Sequence, residues 1–249
     1  MPVNAFSPLS KSMELPTLPK GMSPAIWPTP PSNYYGQFRP TPRVYLAGPD
    51  VFLPQEDRVE IEARKKAICA KYGFEGVFPT DNQADLRGLA PYEQGIAISQ
   101  ADERTMDSCD LVVANATPWP VHPTDQKRVG LSTDVGTAFE MGYMRAQHKG
   151  VFAYSNVPIN FFERMSQWLQ GNVNPRLTEP WFKVDANDHM IDATQHPDNL
   201  MLPGGVHNSG GVWITQPVDN PKERFTDLNA FEQVVAEAAK RYHTLDAVG

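Results

Sequence analysis

The sequence predicts an α/β fold, a doubly wound, mostly parallel sheet with helices on both faces, preceded by a Pro-rich N-terminal arm. Three observations carry this reading. Short apolar runs rich in β-branched and aromatic residues (RVYLA, LVVANAT, GVFAYSN) recur along the chain. Helix-patterned segments of ten or more residues separate them, the arrangement that a buried parallel sheet with crossover helices requires. The first 42 residues break the pattern, because they hold ten of the chain's 24 prolines and show no helical or strand period.

Taken in order, residues 1–42 read as a flexible or extended arm. Its Ile26, Trp27, Tyr34, Tyr35 and Phe38 are more apolar than a linker needs, which leaves packing along its own body or a neighbouring subunit as the alternative. Residues 43–249 are read as one α/β domain. Within it, Arg43 to Ala47 forms the first strand, and EDRVEIEARKKAICAKYG follows as a helix closed by Gly73. Phe74 to Phe78 is the second strand. A loop through TDNQ becomes a helix near Pro91, whose fixed φ suits a first helical position. Residues 111 to 117 are the third strand. A Pro-rich insertion over 118–133 then leads to a helix opened by Asp134, followed by a strand at GVFAYSN and a helix near FFERMSQWLQ. Right-handed crossovers place every strand-to-helix loop along one sheet edge, where ligands of such sheets bind. Gly48, Asp50, the TDNQ loop and the STDVG segment therefore define the expected cleft.

Composition narrows the partners. With 22 basic against 29 acidic side chains the formal charge is −7, which opposes polyanions and anionic membranes, so a nucleic-acid polymer is not expected. No apolar run reaches a bilayer's thickness and no secretory signal is evident, so a cytoplasmic setting is expected. Cys69 and Cys109 form no close pair and the six histidines lack ligand spacing, so neither a disulfide framework nor a metal is expected.

The chemistry-bearing anomaly is a pair of inward acids. In DVGTAFEMGYM, Glu140 shares a helical stripe with Gly136, Thr137, Tyr143 and Met144, and is the one charged residue from Val135 to Met144. Asp102 lies on the stripe of Gly95, Ile98, Met106 and Cys109. A buried carboxylate is costly unless paired, hydrogen-bonded or neutralised, so two without an evident basic partner point to a functional site. Asp134 suits the helix start, as a cap. Several acids around a small cleft, with no phosphate loop and no Ser or Cys nucleophile, suit glycosyl transfer, in which carboxylates stabilise or capture an oxocarbenium-like centre.

YLAGPDVF, TDNQ, the Asp102 and Asp110 pair, DVGTAFEMGY and the later NLML together resemble the nucleoside 2-deoxyribosyltransferase family, over about residues 43 to 205. The resemblance implies a flavodoxin-like fold, 2'-deoxynucleosides and free nucleobases as substrates, no cofactor, and exchange of bases by double displacement. Position by position it implies Glu140 as the nucleophile and Tyr45 as the residue that positions it. Asp102 and Asp134 match the acids around base and sugar, and Gln83 a base contact. Gly48, Asp50 and Gly136 line the cleft. Asn199 and Met201 match residues that reach into a neighbouring subunit's site, which requires a homo-oligomer with shared sites. The 118–133 insertion, with Lys127 and Arg128, departs from the family's shorter connection. Two alternatives share the fold: a 2'-deoxynucleoside 5'-monophosphate N-glycosidase, which Asp134 disfavours by repelling a phosphate dianion and which the neighbouring Ser132 and Thr133 keep open, and a non-catalytic nucleoside-binding module.

Overall fold

The computed structural model describes residues 41–82, 84–119, 130–168, 173–174, 182–185 and 190–244. All of these belong to one compact unit, Tyr35–Gly249. The expected arm, Gln83 and most of the 118–133 insertion, Lys127 and Arg128 included, lie outside the described residues.

Five strands make the main sheet: β1 (Arg43–Ala47), β2 (Glu75–Val77), β3 (Leu111–Asn115), β4 (Gly150–Ser155) and, after a small second sheet, β8 (Trp213–Thr215). Their order is β2-β1-β3-β4-β8 and every pairing is parallel. In order along the chain this is the 2-1-3-4-5 arrangement of the flavodoxin-like fold, as the sequence leads one to expect. β1, β3 and β4 are central and almost wholly buried, which is why their sequences are unbroken apolar runs.

Strand alternation sorts the core into two layers. Val44 and Leu46 of β1 face one way, with Leu111, Val113, Phe152 and Tyr154, towards the helices α1 (Gln55–Lys71) and α6 (Asn229–Thr244). Tyr45 and Ala47 face the other, with Val112, Ala114, Val151 and Ala153. That second face is covered by α2 (Pro91–Asp107), α3 (Val135–Ala146) and α5 (Met201–Asn208), through Met106, Met141, Met144 and Val206. Tyr45 therefore looks at α2 and α3, the helices that carry Asp102 and Glu140.

Local signals place the helix ends. Gly73 takes φ +79°, the left-handed geometry that terminates α1. At α2, Pro91 occupies the first turn and the Glu93 carboxylate accepts from the Ala90 amide at 3.0 Å. α4 (Phe161–Trp168) lies close to where it is expected.

Three features differ from the sequence expectation. The stripe of Gly95, Ile98, Met106 and Cys109 packs only in its second half: Ile98 is 45 % exposed and Gly95 is exposed, whereas Met106 and Cys109 are buried in the core layer beside Tyr45. An antiparallel sheet of β5 (Val173–Asn174), β6 (Phe182–Asp185) and β7 (Met190–Asp192) follows α4. Beyond it, α6 seals the first core layer through Phe231, Val234, Val235, Ala238 and Ala239, a spacing of three and four that marks an amphipathic helix in the sequence itself. No helix among the described residues is long and apolar enough to cross a membrane.

Candidate active site

Asp134 is the N-cap of α3: its Oδ2 accepts from the Thr137 amide at 3.0 Å and from the Thr137 hydroxyl at 3.3 Å. This satisfies one of the helix's unpaired amides and puts a negative charge at the positive end of its dipole. Packing on the sheet fixes the rotation of the helix. Thr137, Met141 and Met144 turn into the core, and Glu140 is carried to the edge of that buried stripe, over β1.

There the Tyr45 hydroxyl donates to Glu140 Oε1 at 2.5 Å, joining residues 95 apart in sequence. Tyr45 is fully buried. Its hydroxyl is held far above its ordinary range, by burial first and then by the Glu140 charge, so it stays a donor. The Glu140 carboxyl is pushed up to about 8, chiefly by burial. The Tyr45 hydrogen bond pulls it back down, while the charges of Asp102 and Asp134 raise it further. Burial likewise raises Asp102. The electrostatic coupling of Glu140 to both acids shows that α2, α3 and β1 bring Tyr45, Asp102, Asp134 and Glu140 into one cluster. Asp110 is elsewhere, at the opposite end of β3, accepting from the Arg43 amide at 2.7 Å.

Gly48 and Asp50 shape the turn after β1. Gly48 has φ +152°, and a Cβ there would stand 2.5 Å from Asp50 Oδ2 and 2.6 Å from Asn115 Cβ, so only glycine fits. Asp50, expected to line the cleft, is held by partners within the protein. It is 1 % exposed, its Oδ1 lies 2.8 Å from Lys65 Nζ, and Asn115 Nδ2 approaches its two oxygens at 3.3 and 3.4 Å. Lys65, also 1 % exposed, lies 5.2 to 5.8 Å from the ring centres of Phe78, Tyr154 and Phe231. Asp50 thus ties α1 to the edge where β1 and β3 end, and its charge is spent on Lys65. The inward Lys65 between Arg64 and Lys66 carried no sequence signal except its place on the apolar side of α1.

Gly136 is exposed in the first turn of α3, with only Asp134 Oδ2 near a would-be Cβ, at 3.0 Å. Asn199 and Met201 stand exposed at the start of α5, where Asn199 Oδ1 accepts from the Met201 amide at 3.1 Å. Among the described residues neither has a hydrogen bond to Glu140, Asp102 or Asp134. Thr133, one of the hydroxyls that keeps a phosphate site open in the sequence, is buried and hydrogen-bonded to Asp198 Oδ2 at 3.0 Å.

This cluster sits on a chain whose residues 44–201 match the family profile described as nucleoside 2-deoxyribosyltransferase. The chain belongs to the nucleoside 2-deoxyribosyltransferase family. A Schizosaccharomyces pombe protein, uncharacterized protein C191.05c, is 30 % identical over 210 residues, which cover 82 % of this chain and 91 % of that one. Among solved structures, the 2-desoxiribosyltransferase from Leishmania mexicana superposes with a TM-score of 0.52 at 19 % identity, covering 81 % of this chain and 99 % of its own. That likeness speaks for the fold, and the family membership rests on the profile match.

Proposed function

We propose that the protein transfers 2-deoxyribose between nucleobases by double displacement, with Glu140 as the nucleophile. The Glu140 carboxylate attacks C1' of a 2'-deoxynucleoside from the face opposite the base. As the ester bond forms the N-glycosidic bond breaks, and the departing base takes its electron pair and a proton from Asp102 or Asp134. An incoming base then attacks C1' and displaces Glu140, returning its proton to the same acid. The single observation that carries this reading is the Tyr45 hydroxyl on Glu140 Oε1, within the field of two further acids. No cofactor is needed for these steps.

Substrate therefore meets a site in which Glu140 must ionise. Developing positive charge at the sugar favours that ionisation, so the site binds the transition state better than the ground state. Asn199 and Met201 are proposed to complete the site of a second copy in a homo-oligomer. In support, Met201 is 72 % exposed and Leu200 44 %, and nearby helices expose Tyr92, Val135 and Phe139 at 81, 83 and 57 %.

Incubation with thymidine and adenine, with products separated by chromatography, tests the reading. Deoxyadenosine appearing with thymine supports exchange. Thymine released without deoxyadenosine makes water the acceptor and the protein a hydrolase. If no base is released from any pyrimidine or purine 2'-deoxynucleoside, the proposal fails.

A further inference from the structure

Beyond the Glu140 cluster, two ion pairs are buried among the described residues, Asp50 with Lys65 and Arg164 with Asp198. The second joins segments that are distant in sequence and flank proposed site residues. Asp198, 1 % exposed, uses both carboxylate oxygens. Its Oδ2 accepts from the Thr133 amide at 2.8 Å, the Thr133 hydroxyl at 3.0 Å and Arg164 Nη2 at 3.1 Å. Its Oδ1 accepts from the Asn199 amide at 2.7 Å. Arg164 of α4, 3 % exposed, donates to three carbonyls besides: Leu131 at 3.1 Å, Ile159 at 2.6 Å and Pro197 at 2.8 Å.

Neither charge is placed there by hydrophobic burial, which a well-packed apolar pair would achieve without desolvating two ions. What the pair supplies is geometry. The guanidinium is a rigid, planar fork with donors in fixed directions, and the carboxylate is its complement. Thr133 immediately precedes the α3 cap Asp134, and Asn199 immediately follows Asp198. A shift of Asp198 therefore displaces both.

We propose that Arg164 and Asp198 form a positioning clamp that holds the loop carrying Asp134 and the segment carrying Asn199 and Met201 as one unit. The role assigned to those three residues rests on the proposed transferase function; the clamp itself does not. Since Asp134 serves its own chain's site and Asn199 a neighbour's, the clamp links the geometry of two sites in the oligomer.

Hydrogen–deuterium exchange on the full chain, compared with Arg164→Met, tests the clamp without any activity. The amides of residues 130 to 138 and 192 to 203 are expected to exchange faster together, by roughly tenfold or more, while those of α6 keep their rate. Should Arg164→Met not fold, Thr133→Val, which keeps side-chain shape and deletes the hydroxyl's contacts with Asp198 Oδ2 at 3.0 Å and the Ala116 carbonyl at 3.4 Å, is expected to loosen the same two segments by about severalfold. In base-exchange kinetics either variant lowers kcat/KM, and the loss shrinks to less than about twofold in an Asp134→Asn, Asn199→Ala background, because the clamp acts through those two segments. Faster exchange in one segment alone, uniform loosening across the chain, or losses that multiply in full with that double variant would overturn the proposal. A folded wild-type protein without exchange activity removes the transferase reading, and the deuterium comparison still decides the clamp.

Discussion

Replacing Tyr45 by Phe removes one oxygen from a fully buried ring and leaves its packing in place. The lost interaction is the 2.5 Å hydrogen bond to Glu140 Oε1, which holds the carboxyl lower than burial and the two neighbouring acids would. With the Glu140 pKa at about 8, only about one-tenth of the free enzyme carries the ionised nucleophile at pH 7. A hydrogen bond to a charged group contributes about 1.5 to 3 kcal/mol, so its loss moves the midpoint up by about 1 to 2 pH units. The carboxylate population at pH 7 then falls about 10- to 100-fold, and kcat/KM falls with it. The assay is the initial rate of thymidine-to-adenine exchange at low substrate from pH 5.5 to 9.5, where kcat/KM reports the free enzyme. The ascending limb centred near 8 in the wild type should move upward in Tyr45→Phe, and the gap between the two proteins should narrow at high pH. A limb that stays in place or moves down refutes the reasoning, and a loss independent of pH assigns the hydroxyl to orienting Glu140 and not to setting its charge.

The same pKa makes a stability prediction with a definite sign. Because folding raises the Glu140 pKa from 4.5 to about 8, its contribution to stability is complete below 4.5 and is lost as pH rises through 8. Wild-type Tm should therefore fall between pH 5 and pH 9 more steeply than that of Glu140→Gln, which also loses base exchange by several orders of magnitude; parallel Tm curves would contradict the burial of this charge. Lys65→Met strands the Asp50 carboxylate in the core and should cost about 3 to 5 kcal/mol in urea unfolding, with most of the loss recovered on adding Asp50→Leu. A loss under about 1 kcal/mol in the single variant would mean that water reaches Asp50.

How much of this was legible in the sequence differs from element to element, for physical reasons. β1, β3 and β4 were readable because central parallel strands are apolar on both faces, and α1 and α2 because Gly73 and Pro91 punctuate the chain where helix ends need them. The inward direction of Glu140 followed from its helical neighbours, and Asp134 as a cap followed from its place before an apolar run. Gly95 and Ile98 misled because helical periodicity gives the direction of a stripe but not how far along the helix a neighbour covers it, which tertiary packing sets. α6 was not among the expected elements although its spacing of three and four is a helix signal, whereas the two-to-four-residue strands β5, β6 and β7 are too short for any period to register.

The sequence by itself determined the alternation of strands and helices, the acids on two helix faces and the family to which the motifs belong, because these are properties of neighbours along one chain. Only the tertiary structure decided that Tyr45 donates to Glu140, that Asp50 is spent on Lys65, and that Arg164 and Asp198 bind Thr133 to Asn199. Each of these joins residues far apart in sequence. Strand order and crossover set such distances, and no local pattern encodes them.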